Sequence, residues 1–97
     1  MQNQAKKEDV IRVVVHYVGA GKPFEAEYAP TTQLSKVKQD ALGAFGLLEG
    51  GTSEGNSVVY LVYSQQDRLD DLTVTVGQLA GHQKVLQLKL TQQITQG

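Results

Sequence analysis

Only one segment of the chain has the apolar spacing of an amphipathic helix, and it lies among segments in which apolar and polar residues alternate as in β-strands. Leu34, Val37 and Ala41 fall on one stripe of this predicted helix, which ends near Phe45. A chain of 97 residues forms one domain. One helix must therefore cover one face of a mixed sheet while the other face meets solvent, which predicts an α+β fold with four or five strands.

The first two strands are predicted to form a β-hairpin. In residues 10–18, inward apolar side chains alternate with outward ones once Arg12 and His16 are placed on the outer face. Residues 24–28 show the same alternation. The glycines within residues 19–22 supply the conformational freedom that a tight reversal needs.

The ends of the predicted helix are marked by residues that commonly cap helices. Pro30 ends the hairpin, and the hydroxyl of Thr31 or Thr32 can accept a hydrogen bond from the first turn of the helix. Gly46 is predicted to adopt the left-handed conformation after the last turn, with Leu47 as the apolar residue that follows it.

The second half of the chain is predicted to contain a loop and three further elements. Residues 48–57 have no periodicity and are predicted to be a mobile loop. Residues 58–63 form a strand with Leu61 inward, residues 68–81 form a short strand and a 3₁₀ turn, and residues 84–90 form the last strand. The predicted core residues are Leu34, Val37, Leu61, Leu69, Leu86 and Leu88.

Composition excludes several classes of protein. The chain has no cysteine, so it can form no disulfide and no thiolate site. The net charge is −1 and the basic residues are scattered, so nucleic acid is not an expected partner. No apolar run approaches the length of a membrane helix, and residues 1–9 are polar, unlike a signal peptide. We therefore expect a cytoplasmic monomer that has no membrane contact.

The side chains that could carry catalysis or bind metal do not form a site in the predicted fold. His16 lies on an outward strand face and His82 in a turn, so neither has partners for metal ligation or general base catalysis. No serine has a histidine and an acid placed to activate it. The sequence therefore predicts no enzyme, no metal site and no cofactor.

Gly97 is a candidate reactive group at the end of the polar residues 91–96. A glycine has no Cβ, so its carboxylate can enter a channel too narrow for other residues. The seven residues from Thr91 to Gly97 are predicted to be a flexible tail, which can extend on the order of 20 Å from the last strand into a partner's cleft. Ile94 is a candidate apolar anchor in that cleft.

The element order and several spacings resemble those of ubiquitin and its relatives, which have the β-grasp fold. The positions that carry the resemblance are Gly21-Lys22, Pro30-x-x-x-Leu34, Val37, Ala41, Gly46-Leu47, Leu61, Leu69 and the closing Leu-x-Leu-x-Leu strand. The resemblance covers residues 10–90, with residues 1–9 as a disordered N-terminal tail and 91–97 as the C-terminal tail. In overall look the chain is most similar to bacterial ubiquitin-like proteins that occur with activating, conjugating and deconjugating enzymes.

The resemblance implies that the chain is a protein modifier. An activating enzyme would use ATP and magnesium to adenylate the Gly97 carboxylate, which would pass to an enzyme cysteine as a thioester and then to an amine of a target protein. Two alternatives have the same fold. One is a noncovalent adaptor that never uses its terminus, and the other is a sulfur carrier that ends as a thiocarboxylate.

The resemblance also implies a surface by which partner proteins recognise the chain. Ubiquitin has an exposed apolar patch formed by its hairpin turn and by outward residues of its third and last strands. The residues that correspond by pattern are Ala20, Tyr60, Val62, Gln87 and Lys89. Tyr60 and Val62 are accordingly expected to point outward.

Overall fold

The part of the chain that the structure describes contains six strands and two helices. The computed structural model describes residues 10–47, 52–53 and 56–96. The strands are β1 (Ile11–Tyr17), β2 (Phe24–Tyr28), β3 (Thr52–Ser53), β4 (Asn56–Ser64), β5 (Asp67–Leu69) and β6 (Val85–Gln96), and the helices are α1 (Leu34–Phe45) and α2 (Val76–Ala80). The predicted N-terminal tail, residues 1–9, lies outside the described residues, as does part of the predicted loop.

The strands form one mixed sheet. Their order is β2-β1-β6-β4-β3, and β5 also pairs with β4. β1 and β6 are parallel, and every other described pair is antiparallel. This arrangement confirms the predicted mixed sheet and adds β3, a two-residue strand within the segment that was predicted to be a loop.

The hydrophobic core lies between α1 and one face of the sheet. The predicted helical stripe of Leu34, Val37 and Ala41 is confirmed, since these side chains are buried. Leu86 and Leu88 are buried as predicted, whereas Leu69 is only partly buried against the core. The remaining buried apolar residues of this cluster are Ile11, Val13, Val15, Tyr60, Val62, Val76, Ala80 and Leu90.

The prediction of which β4 side chains point into the core is wrong by one residue. Tyr60 and Val62 retain only 4% and 3% of their surface, whereas Leu61 is half-buried. The reason is the pairing with β6, in which Val62 lies opposite Leu90 and Leu61 lies opposite Thr91. Opposed residues share a sheet face, so Val62 follows the buried Leu90 into the core.

The starts of the two helices are joined by reciprocal backbone hydrogen bonds. Leu34 N–H donates to the Val74 carbonyl at 2.8 Å, and Val76 N–H donates to the Thr32 carbonyl at 2.8 Å. The predicted cap by Thr31 or Thr32 is wrong, because α1 begins after Gln33 and has no side-chain cap. Backbone carbonyls from the segment before α2 instead satisfy the free N–H groups of α1.

The segment predicted as a 3₁₀ turn is the short helix α2. Its start is a reciprocal capping box: the Thr75 hydroxyl accepts from Gln78 N–H at 3.2 Å, and the Gln78 side chain accepts from Thr75 N–H at 2.9 Å. At the end of α1, Gly46 has the predicted left-handed conformation, with φ of 73°.

The last strand continues far beyond the predicted boundary at residue 90. Residues 89–96 pair with 56–63 of β4 in a register without a bulge. The prediction of a free tail that starts at Thr91 is therefore wrong for residues 91–96. The tail finds a partner because β4 begins at Asn56, two residues before the predicted start of that strand.

Alternate amides of this extension are expected to exchange at different rates. Arg12 N–H donates to the Lys84 carbonyl, so the even-numbered residues of β6 point their backbone groups toward β1, and the odd-numbered residues point theirs toward β4. In an amide hydrogen-exchange experiment, Thr91 and Gln93 should be protected by β4. Ile94 should exchange faster, because β1 ends at Tyr17. Equal and rapid exchange at all three amides would contradict the pairing.

A partly buried hydrogen bond fixes α1 to the edge strand β2. Tyr28 Oη donates to Asp40 Oδ2 at 2.8 Å, and Lys36 Nζ lies 3.1 Å from Asp40 Oδ1. Burial, reinforced by the bond to Asp40, raises the pKa of Tyr28 above its ordinary value. The same bond, reinforced by Lys36, holds the pKa of Asp40 below its ordinary value. The contact is therefore most stable when Tyr28 is neutral and Asp40 is charged.

Replacing Tyr28 with phenylalanine should lower the free energy of unfolding at neutral pH by about 1 kcal/mol, because the hydrogen bond is lost. The contribution of Asp40 is present above its ordinary pKa of 3.8 and is lost as the pH falls. The contribution of Tyr28 is present below its ordinary pKa of 10.0 and is lost as the pH rises. Urea denaturation across this range should therefore show the difference between wild type and variant shrinking at both ends.

The matched control for this experiment is Tyr63→Phe, which makes the same chemical change on the opposite face of the sheet. We expect it to alter stability by less than about 0.5 kcal/mol. A difference between wild type and Tyr28→Phe that stayed constant with pH would show that ionisation is not coupled to the contact.

Candidate protein-binding face

The face of the sheet opposite α1, called the open face below, is the candidate functional surface. Side chains along a strand alternate between the two faces, so the residues that alternate with those of the core cluster lie here. The open face carries Val14, His16, Val59, Leu61, Tyr63, Gln87, Lys89 and Thr91. No helix of the described residues covers it.

Strand pairing brings these side chains into rows across β1, β6 and β4. Lys89 lies between His16 on one side and Tyr63 on the other. Thr91 lies opposite Leu61 in the next row. Opposed side chains on one face of an antiparallel pair lie about 4.5–5.5 Å apart at Cβ. An aromatic ring, an aliphatic side chain and an ammonium group therefore share one small area.

The polar residues of the open face are oriented by short contacts. His16 Nε2 lies 2.8 Å from Gln87 Oε1, which joins β1 to β6 at the surface. Toward the edge of the sheet, Arg12 and Glu25 form an ion pair at 3.4 Å in which both side chains are about half exposed. A surface pair of this kind contributes little to stability, and it offsets the positive charge of Arg12.

A shallow cavity of about 380 Å³ lies at one end of the open face. Its walls are Tyr63, Gln65, Gln66, Lys89 and Thr91. Gln65 has a positive φ of 61° in the turn between β4 and β5. The cavity has a phenol, amides and an ammonium group at its rim, and these can bind a carbonyl or carboxylate of a partner while Tyr63 contacts an apolar side chain.

The structure brings together only part of the predicted recognition surface. Gln87 and Lys89 are exposed on the open face, as the pattern predicts. Tyr60 and Val62 are buried on the opposite face, so the prediction that they point outward is wrong. Ala20 lies in the turn between β1 and β2, where its N–H donates to the Tyr17 carbonyl. A role of the exposed residues in partner binding stays a prediction.

Of the two predicted tail residues, Ile94 lies apart from the open face. Ile94 is 56% exposed and shares the helix-side face with Val58, its partner in β4. Gly97 lies outside the described residues.

Sequence reasoning missed Leu61 and Tyr63 as residues of the open face. Every residue of the segment 58–63 is apolar or aromatic, so its alternation does not distinguish the two faces. The information lies in the pairing with β6, where the alternating leucines determine which face is buried.

The described residues give no sign of a metal centre or a membrane span. They contain no group of three or more His, Asp or Glu side chains that could hold a metal ion. Neither described helix has the length and hydropathy that a membrane crossing requires.

Solved structures with the same fold are ubiquitin-like domains. The solution NMR structure of the ubiquitin-like domain of an Arabidopsis thaliana protein matches with a TM-score of 0.57 at 17% identity, covering 84% of this chain and 76% of that one. A second NMR structure of the same Arabidopsis protein matches with a TM-score of 0.52 at 18% identity, covering 88% of each chain. No protein-family model matches the chain, and no curated protein matches it. The chain therefore has a ubiquitin-like fold.

Proposed function

We propose that this ubiquitin-like domain is a noncovalent protein-binding module that partner proteins recognise through the open face of its sheet. The observation that carries the proposal is the row in which Tyr63 lies beside Lys89, with Leu61 in the next row and no described helix above them. The domain needs no catalytic chemistry, metal or cofactor of its own for this function.

The chemistry of the open face favours a protein partner over nucleic acid. Aromatic and aliphatic side chains on a solvated sheet commonly anchor protein interfaces. Lys89 and Arg68 lie on either side of Tyr63 in one row, and Arg68 is paired with Asp70 as Arg12 is with Glu25. We expect a partner that places an apolar side chain over Leu61 and a carboxylate near Lys89.

The modifier function is a second candidate, supported by one feature of β6. Among the described strands, only β4 pairs with residues 91–96, because β1 ends at Tyr17. Peeling this segment away would leave the parallel pair of β1 and β6 intact and would let residues 91–96 extend toward an activating enzyme. Conjugating and deconjugating enzymes and target proteins would be the further partners. A sulfur carrier would require the same release.

The adaptor function is tested by charge substitution on the two sides of the sheet. A partner isolated with the wild-type chain should lose at least about tenfold in affinity for Leu61→Arg, because a partner surface that excludes water there would bury an unpaired charge. The control is Gln39→Arg, which adds the same side chain to an exposed position of α1. Binding would be measured by titration with the purified partner.

Equal binding by wild type and Leu61→Arg would exclude the open face as the recognition surface. Equal losses in both variants would show a nonspecific effect of charge and would also contradict the proposal.

The modifier function is tested with an activating enzyme, ATP and magnesium. A thioester that is sensitive to reducing agent should form with the wild-type chain, and Gly97→Val or a chain that ends at Gln96 should form much less. Equal charging of all three chains would exclude Gly97 as the reactive residue. If an enzyme that is active on its own substrate forms no thioester with this chain, the adaptor function is the better account.

A further inference from the structure

The end of β6 presents an unpaired backbone edge. β1 pairs with β6 only as far as Tyr17 opposite Leu90. The even-numbered residues beyond that point, Gln92, Ile94 and Gln96, direct their N–H and C=O groups toward the side that β1 has left. Within the described residues no strand lies beside this edge.

This edge lacks the features by which proteins prevent edge strands from pairing. Such edges commonly carry lysine, proline or a β-bulge. Residues 91–96 contain no charged residue and no proline, and their register with β4 is continuous. The segment is therefore free to accept another uncharged strand.

Two exposed apolar side chains lie near the edge, and there is room at the end of β1. Ile94 is 56% exposed and Val18 is 96% exposed. A cleft of about 490 Å³ lies where β1 ends beside β6, and Tyr17, Val18 and Gln92 are among the residues that line it. An added strand would run alongside β6 and end at this cleft.

We propose that two copies of the chain pair through this edge, with their β6 strands antiparallel and a two-fold axis at Ile94. Ile94 then lies opposite Ile94 of the second copy, and Gln92 lies opposite Gln96. All three residues point their backbone groups at the partner strand, so the pairing forms up to about six hydrogen bonds. The sheet becomes continuous across the dimer, with both α1 helices on the same face.

The uncharged edge favours a second copy over a charged peptide as the occupant. In the symmetric register the facing residues are Gln, Ile and Gln on both strands, so no like charges meet and no charge is left without a partner. In this register the partner's Gln96 lies opposite Gln92, so the paired residues 92–96 all lie beyond the last pair of β1 with β6, Tyr17 with Leu90. The contact is small, so we expect a dimer that depends on protein concentration.

The test is sedimentation analysis of the full chain from about 10 µM to about 1 mM, the range in which a small interface associates. Wild type should shift from monomer to dimer. Ile94→Lys and Ile94→Glu should each stay monomeric, because like charges would then meet at the axis. An equal mixture of the two variants should recover the dimer, since opposite charges then face each other. Gln39→Lys, with the same added charge on α1, should dimerise like wild type.

Two measurements separate loss of pairing from loss of fold. Thermal unfolding of Ile94→Lys at low concentration should match wild type, because Ile94 lies outside the core. The amides of Gln92 and Ile94 should become protected from hydrogen exchange as the wild-type concentration rises. A wild-type chain that is monomeric throughout, or a mixture of the charged variants that does not recover the dimer, would overturn the proposal. Leu61→Arg should still dimerise, so failure here is distinguishable from failure of the adaptor function.

Discussion

Replacing Tyr60 with alanine should lower the free energy of unfolding by about 3–5 kcal/mol, the range for truncating a large buried aromatic side chain. The ring is 4% exposed and meets the ring of Tyr17 edge-on, with centroids 6.1 Å apart. Its hydroxyl accepts a hydrogen bond from the Gln92 side chain at 3.2 Å. Small domains have about 5–15 kcal/mol of stability in total, so urea denaturation should show a large loss.

The neighbouring residue provides the control. Leu61 lies on the open face, so Leu61→Ala should lower stability by about 1 kcal/mol or less, since only part of its side chain leaves water on folding. If Leu61→Ala were the more damaging of the two substitutions, the pairing of β4 with β6 would have to be shifted by one residue, because such a slip exchanges the two faces.

Local sequence patterns were sufficient to predict which side chains are buried wherever a segment has one polar side and one apolar side. The stripe of Leu34, Val37 and Ala41 predicted the buried side of α1, and the alternation of Leu86 with Gln87 predicted the facing of β6. Burial follows amphipathic periodicity in both elements. The fold class followed from the order of these elements.

The facing of β4 could not be predicted in this way, because the strand is apolar on both sides. Leu61 and Val62 are similar in hydrophobicity, and the choice between them depends on which residue lies opposite Leu90. That register is a nonlocal property of the sheet. The missed residues of the open face, Leu61 and Tyr63, follow directly from this ambiguity.

Nonlocal backbone bonds also explain the errors at the ends of elements. Thr31 and Thr32 have the side chains of capping residues, but the carbonyls of Leu72 and Val74 satisfy the first N–H groups of α1. Residues 91–96 are polar and contain a single strongly apolar side chain, so they carry no signal of a buried strand. They are ordered by β4, which lies thirty or more residues away in sequence.

The position of β6 links the proposed functions. Its residue Lys89 belongs to the open face, and its residues 92–96 form the free edge. Partner binding at the open face and pairing of two copies at the edge use different sides of the strand, so both can occur together. Modification through Gly97 with residues 91–96 extended into an enzyme would instead take this segment away from β4. Dimerisation and activation would then compete for the same segment.

Replacing Gly77 with alanine should lower the free energy of unfolding by about 1–3 kcal/mol, the usual effect of forcing an extra methyl group into a packed contact. A Cβ at this position would lie 2.9 Å from Pro30 Cβ and 3.0 Å from the Pro30 carbonyl oxygen. That carbonyl accepts the Gly77 N–H hydrogen bond at 2.8 Å, so the clash would push apart the two segments that join the helix starts. For a domain of this size each kcal/mol corresponds to about 4–8 °C in the thermal midpoint.

Gly43→Ala is the matched control, because it adds the same methyl group to a helix where, beyond the adjacent residues and the helix's own backbone, no described atom lies within 4 Å of the new Cβ. Alanine favours a helix over glycine by about 1 kcal/mol, so this variant should raise the thermal midpoint. The two substitutions are therefore expected to have opposite signs, although helix propensity alone would favour alanine at both positions. If Gly77→Ala were also stabilising, the close approach of α2 to Pro30 would not constrain the fold, and the backbone bonds between the two helix starts would have to tolerate displacement.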